Sequence, residues 1–200
     1  VKVIKKWAAS YLSVVFFNNF ARMKIGVFCS ANNQIDAEYF RLTKEFGAWI
    51  AREGHSVVFG GTNTGLMEAI GTAVHEGGQR AIGVIPRIIE KGGKVSKSVD
   101  INIACDNLSD RKDLMLAQSD IFVALPGGIG TLDEVFTIAA SNTIGYHSKK
   151  VILYNMKGFF NPLIALLDAL QAQGMIRGLW SDYIQVASNL DEIAAYVAQV

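Results

Sequence analysis

From Met23 onward, short apolar runs alternate with amphipathic stretches. The runs are Lys24 to Phe28 (KIGVF), Ser56 to Phe59 (SVVF), Ala81 to Ile85 (AIGVI), Ile101 to Ala104, Ile121 to Leu125, Val151 to Tyr154 (VILY) and Tyr183 to Val186. At four or five residues each, they have the length of strands in a parallel sheet, and Ile121 to Leu125 has the continuous apolar character of one buried on both faces. Helical periodicity fills the intervals. Ile35 to Glu53 carries Phe40, Leu42, Phe46, Trp49 and Ile50 on one side and closes at Gly54. Further helices are predicted over Leu66 to Glu76, Arg111 to about Gln118, Phe160 to Gln173 and Leu190 to Val200. One more starts at Thr131, with Leu132, Val135, Phe136 and Ala139 facing inward. Ser109 or Asp110 is the expected cap of the Arg111 helix. Pro86 stops the third strand, and Arg87 to Asp100 reads as a polar, mobile loop suited to a lid.

Strands separated by helices throughout predict an α/β fold, a doubly wound parallel sheet with helices on both faces. Two hundred residues suit one domain, here 23–200. Functional residues of such sheets gather beyond the carboxyl ends of the strands. The turns at Cys29, Gly60, Pro86 and Gly127 share that edge. Residues 1–22 stand apart: Lys2, Lys5 and Lys6 precede an apolar run, Trp7 to Phe17, too short to span a bilayer. They read as an N-terminal extension outside the core fold.

Charge narrows the partners. Lys and Arg number 19 against 18 Asp and Glu, so no general field draws the chain to nucleic acid or an anionic membrane. Cys29 and Cys105 form no CxxC pattern; they suit a reducing cytoplasm and read as small buried hydrophobes near strand ends. His55, His75 and His147 lack metal-ligand spacing and are expected in surface or capping roles, with no metal site.

The chemistry concentrates in Asp120 to Ala140, DIFVALPGGIGTLDEVFTIAA. Strand, glycine turn and helix place free backbone N–H groups and a positive helix end at the sheet edge, where an anion, most often a phosphate, binds. Glu134 lies one turn inside that helix, an unfavourable neighbour for a phosphate unless chemistry needs it. A second glycine turn, GGTNTGLMEA with Gly60 and Gly61, shares the edge. Arg111 and Lys112 sit at a predicted helix start, against the dipole preference, and so are expected to face an anion or Glu134.

PGGIGTLDE resembles the PGGxGTxxE motif of the Lonely Guy (LOG) family, cytokinin riboside 5′-monophosphate phosphoribohydrolases formerly labelled lysine decarboxylases. FGGTNTGLM resembles the family's GGGxxGLM, AIGVIP its strand and proline, and DRKDLM its RKxxM. The resemblance covers roughly Met23 to Ala172 and implies a Rossmann-like fold and a homodimer with its sites near the subunit interface. It also implies hydrolysis of the N-glycosidic bond of a purine nucleoside 5′-monophosphate (AMP-like), giving free base and ribose 5-phosphate without a cofactor. Arg111 and Glu134 fall on the family's catalytic positions. Lys112, Gly127, Gly128, Ile129, Gly130, Thr131, Leu132 and Asp133 fall on nucleotide-binding positions, with Gly60 and Gly61 beside them. Ala140 and Ser141 stand where many members have a threonine and a tryptophan, and the first loop, CSANNQID, is shorter than usual. A non-catalytic nucleotide- or cofactor-binding protein is the alternative expectation.

Overall fold

The computed structural model describes residues 22–200; apart from Arg22, the extension expected over 1–22 lies outside the described residues. Seven strands form one parallel sheet: β1 (Lys24–Phe28), β2 (Ser56–Phe59), β3 (Ala81–Pro86), β4 (Ile101–Cys105), β5 (Ile121–Ala124), β6 (Val151–Tyr154) and β7 (Ile184–Ala187). Their order is β4-β3-β2-β1-β5-β6-β7. The chain therefore builds outward from β1 to one edge, returns to the middle, and builds outward again from β5. Helices α1 (Ala37–Arg52), α2 (Gly65–Glu76) and α7 (Leu190–Val197) contribute Phe46, Ile50, Leu66, Ile70 and Ile193 to the core on one face. Helices α4 (Leu108–Gln118), α5 (Ile129–Thr143) and α6 (Asn161–Ala172) contribute Met115, Val135, Ile138 and Leu167 on the other. The doubly wound architecture expected from the alternation is present.

Several local expectations change. Asp36 caps α1, its Oδ1 accepting the Glu38 N–H at 2.9 Å, so that helix starts at Ala37. Asn107, not Ser109 or Asp110, caps α4: its Oδ1 accepts the N–H groups of Ser109 and Asp110, both at 2.9 Å. The helix thus begins at Leu108, and Arg111 and Lys112 lie past its first positions, which weakens the dipole argument for their placement. Pro86 extends β3 as the last pair of its ladder with Cys105, beyond Gly83 where the register with β2 ends, so its missing N–H falls at the end of the pairing. In α5 Phe136 points outward and Ile138 takes the core position. His55 is buried rather than at the surface, where its Nδ1 accepts the Met23 N–H at 3.2 Å.

The stretch read as a lid is more structured than its composition implies. Arg87–Lys91 forms a short helix, α3. Beyond it, Asn63 N donates to Lys94 O and Ser96 N to Gly61 O, both at 2.9 Å, tying the segment to the β2 turn. Ser96 and Ser98 are buried there.

The centre of the sheet is locked by Phe28 of β1 and Phe122 of β5, stacked with centroids 5.2 Å apart and planes 10° from parallel. Phe122 is fully buried. Phe122→Ala is expected to lower the unfolding free energy by about 3–5 kcal/mol in a urea titration, as for other large-to-small aromatic core changes.

Candidate active site

Where the chain reverses its building direction, the turns after β1 and β5 diverge and leave a crevice at the carboxyl edge. The cleft there has a volume of about 320 Å³. The first turn contributes Cys29, Ser30 and Asn32, the β5 turn and α5 contribute Gly128, Gly130, Thr131 and Glu134, and Met67 and Arg111 close the remaining sides. Four chain segments well separated in sequence thus meet at one point.

Each segment is held by a specific contact. Ser30 N donates to Pro126 O at 3.1 Å, joining the first turn to the glycine turn. Leu66 N donates to Ser30 O at 2.8 Å, and Gly65 N to Asn33 Oδ1 at 2.7 Å, so the first loop satisfies the start of α2. Gly65 has φ +59°, and a Cβ there would fall 2.5 Å from the Ala31 backbone. Only glycine allows that approach.

Helix α5 is treated differently. Gly128 occupies its N-cap and no side chain caps it. The first N–H groups of a helix have no partner within it. In α5 these groups, with the positive end of the dipole, open into the cleft. Space is open above Gly128 and Gly130, whereas a Cβ on Gly127 would fall 2.1 Å from Thr131 Oγ1.

Glu134 and Arg111 face each other across the cleft floor, Arg111 Nη2 lying 3.9 Å from Glu134 Oε1, with side chains 13% and 10% exposed. That separation is too long for a hydrogen bond. Arg111 Nε and Nη2 are buried with no hydrogen-bond partner. Burial pushes the Glu134 carboxyl up to about 7; Arg111 and Lys112 oppose the shift and Asp133 adds to it. Glycine at residue 60 leaves room for Arg111 in this position, since a Cβ there would fall 1.9 Å from Nη2 and push the guanidinium aside. Cys29 is buried and its thiol is held well above the usual range by burial and by Glu134.

The sequence-predicted residues divide into two groups. Arg111, Glu134, Gly128, Gly130 and Thr131 come together at the cleft. Gly60 lies behind Arg111, and Gly61 packs on Ile85 with φ +69°. Leu132 packs in the core and Ile129 projects into solvent. Lys112 Nζ donates to both Asp133 carboxylate oxygens, at 3.0 and 2.9 Å, beside the cleft rather than in it. Ala140 lines a separate apolar groove of about 460 Å³ with Phe136 and Trp180. Ser141 accepts from or donates to His147 Nε2 at 3.1 Å, and its hydroxyl also donates to Thr137 O. Sequence reasoning missed Ser30, Asn32 and Met67 as cleft residues; the LM of GGTNTGLM and the polar turn after the first strand were the available signals.

Because the folded protein holds the Glu134 proton more tightly than an unfolded chain, folding takes up a proton between pH 4.5 and about 7. Stability therefore falls across that window as pH rises, and the loss persists above it. Glu134→Gln is expected to flatten that slope and to stabilise the protein at pH 8 by as much as ~3 kcal/mol in denaturant titrations.

A family model described as possible lysine decarboxylase matches residues 67–197, more than half of the chain. A probable cytokinin riboside 5′-monophosphate phosphoribohydrolase of the LOG type from Oryza sativa subsp. japonica is 36% identical over 154 residues, 77% of this chain and 63% of that protein. A cytokinin riboside 5′-monophosphate phosphoribohydrolase LOG from Arabidopsis thaliana is 31% identical over 170 residues, 85% of this chain and 79% of that protein. The chain thus spans less than two thirds of the length of some curated relatives. Among solved structures, a molybdenum cofactor carrier protein from Chlamydomonas reinhardtii aligns with TM-score 0.67 and 26% identity, covering 90% of this chain and 97% of that one. A molybdenum cofactor binding protein from Rippkaea orientalis aligns with TM-score 0.68 and 23% identity, covering 90% and 98%, and shares the fold. The chain belongs to the LOG family, whose family model carries the description possible lysine decarboxylase.

Proposed function

We propose that the protein hydrolyses the N-glycosidic bond of a purine nucleoside 5′-monophosphate, of the adenosine or cytokinin type, to free base and ribose 5-phosphate. The observation that carries this reading is the buried Arg111–Glu134 pair on the floor of a cleft whose rim is an uncapped helix start. The names of the LOG relatives supply the reaction; the cleft supplies groups suited to it.

The 5′-phosphate would lie against the N–H groups of Gly128 to Thr131 and the Thr131 hydroxyl, with Gly127 shaping the turn. Gly60 leaves room for Arg111 behind the cleft, Gly61 and Leu132 pack the two turns against the core, and Ile129 contributes its backbone N–H alone. Breaking the bond develops oxocarbenium character on the ribose, which the Glu134 carboxylate stabilises while orienting the attacking water. A carboxyl that titrates near neutrality suits proton transfer at working pH. Arg111, with two unpartnered nitrogens, would bind a ribose or phosphate oxygen and hold Glu134 in place. No resident cofactor enters these steps.

The alternative is a nucleotide- or cofactor-binding protein without hydrolase activity, a role that the names of the structural neighbours bring forward. One experiment separates the two. The protein is incubated with AMP and with N6-isopentenyl AMP, and free base is followed by chromatography. Release by the parent is expected, with activity lost in Glu134→Gln and nucleotide binding largely retained. Turnover retained in that variant removes Glu134 from the chemistry, and tight binding with no release favours the carrier. Since the ionised carboxylate is the working form, kcat/KM is expected to fall about tenfold per pH unit below about 7.

We also infer a homodimer working in the cytoplasm. The outward face of α5 carries exposed Ile129 and Phe136, and Ile144 at its C-cap is exposed too, more apolar surface than a solvated helix needs. Both cysteines are free and buried, as a reducing compartment permits. Sedimentation at twice the chain mass is expected, with Phe136→Asp shifting the protein toward monomer. Sedimentation of the parent at the chain mass would refute the dimer.

A further inference from the structure

The two consecutive residues Arg111 and Lys112 of α4 meet the two consecutive residues Asp133 and Glu134 of α5, but the two contacts are unlike. Arg111 and Glu134 stand 3.9 Å apart without a hydrogen bond. Lys112 and Asp133 are closed, with Nζ donating to both carboxylate oxygens at 3.0 and 2.9 Å. Successive side chains leave a helix about 100° apart, so Arg111 enters the cleft while Lys112 runs along the flank toward α5. Neither Lys112 nor Asp133 lines the cleft.

We propose that Lys112 and Asp133 are positioning residues, an ionic strut that fixes α4 against α5 and so sets the spacing of Arg111 and Glu134. The proposal rests on the hydrolase reading for its effect on turnover, but not for the contact itself.

The packing of α4 shows why a strut matters. Met115 is its one fully buried side chain, and Leu114 and Leu116 pack half-buried against the same core, so apolar contacts fix the helix on the sheet but do not tie it to α5. Polar contacts hold its two ends: the Asn107 cap at the start, and Lys149 Nζ donating to Leu116 O at 2.7 Å near the finish. Between those ends, the Lys112–Asp133 pair is the ion pair to α5 outside the cleft. Lys112 is 19% exposed and Asp133 51%, so one side of the pair is sheltered and the other open to water. The stability such a pair adds is small. Its geometric effect is large, because a misplacement of about 1 Å at a catalytic group costs on the order of 10²-fold in rate. A phosphate seeking Lys112 would have to displace a carboxylate that already occupies two of its three donors.

The test uses Lys112→Met, Asp133→Asn and the exchange Lys112→Asp/Asp133→Lys in the full chain. Turnover of AMP, its Kd by calorimetry and the ¹⁵N–¹H signal of Arg111 Nε are measured in each. The strut predicts that both single variants lose about tenfold or more in kcat while the Kd for AMP stays within about twofold. It also predicts that the Arg111 Nε signal moves in both, and that the exchange returns kcat and signal toward the parent. A direct phosphate role predicts the reverse: Lys112→Met weakens AMP binding about tenfold, leaves the signal in place, and is not rescued by a carboxylate at 112. That pattern would overturn the proposal. If the parent releases no base, the hydrolase reading fails, and the Arg111 signal across the four proteins still decides whether the strut exists.

Discussion

Two ionisable groups are held in a largely buried floor at a distance that neither joins them nor frees them. Arg111 and Glu134 lie 3.9 Å apart, largely buried, and two guanidinium nitrogens find no acceptor. Leaving buried polar atoms unpaired costs on the order of 1–3 kcal/mol each, more for charged groups. A carboxyl pushed to about 7 despite an adjacent arginine means that loss of water outweighs the attraction of the ion pair. Such an arrangement opposes stability and persists because the surrounding structure over-determines it, as sites adapted to bind or react commonly do.

The over-determination begins in the sheet. Because β1 lies between β2 and β5, the chain leaves its two central strands toward opposite edges and opens a crevice between their turns. Phe28 and Phe122 stack across these two strands and fix them side by side. The first loop then reaches over to satisfy the start of α2 through Asn33 and Ser30, while α5 receives no cap. One helix start is thereby closed by protein, and its neighbour is left without a side-chain cap at the cleft.

Fold and chemistry separate clearly in this family. Proteins described as molybdenum cofactor carriers share the architecture, and LOG phosphoribohydrolases share the sequence pattern over most of this chain. A common fold does not select between binding and hydrolysis. The crevice of this chain carries a carboxyl pushed by burial up to about 7 and a guanidinium with unpartnered nitrogens, on two helices that an ion pair also joins.

The alternation of apolar runs with helical periods was sufficient by itself for the doubly wound sheet, because strands buried on both faces must be short and continuously apolar. PGGIGTLDE likewise marked the glycine turn and Glu134, since local spacing fixes what lies at a helix start; Arg111 was marked by the resemblance of DRKDLM to the family motif, because its helix begins earlier, at Leu108. Boundaries were less legible: Asn107 outcompeted Ser109 and Asp110 as a cap because the backbone of their own N–H groups turned toward it. Phe136 faces out although its spacing suits the core, because the sheet accepts Ile138 from that turn instead. The roles of Gly60 behind Arg111 and of Lys112 against Asp133 were invisible along the chain. Both depend on contacts between residues 51 and 21 positions apart, which only the packing of α4 against the β2 turn and α5 brings within reach.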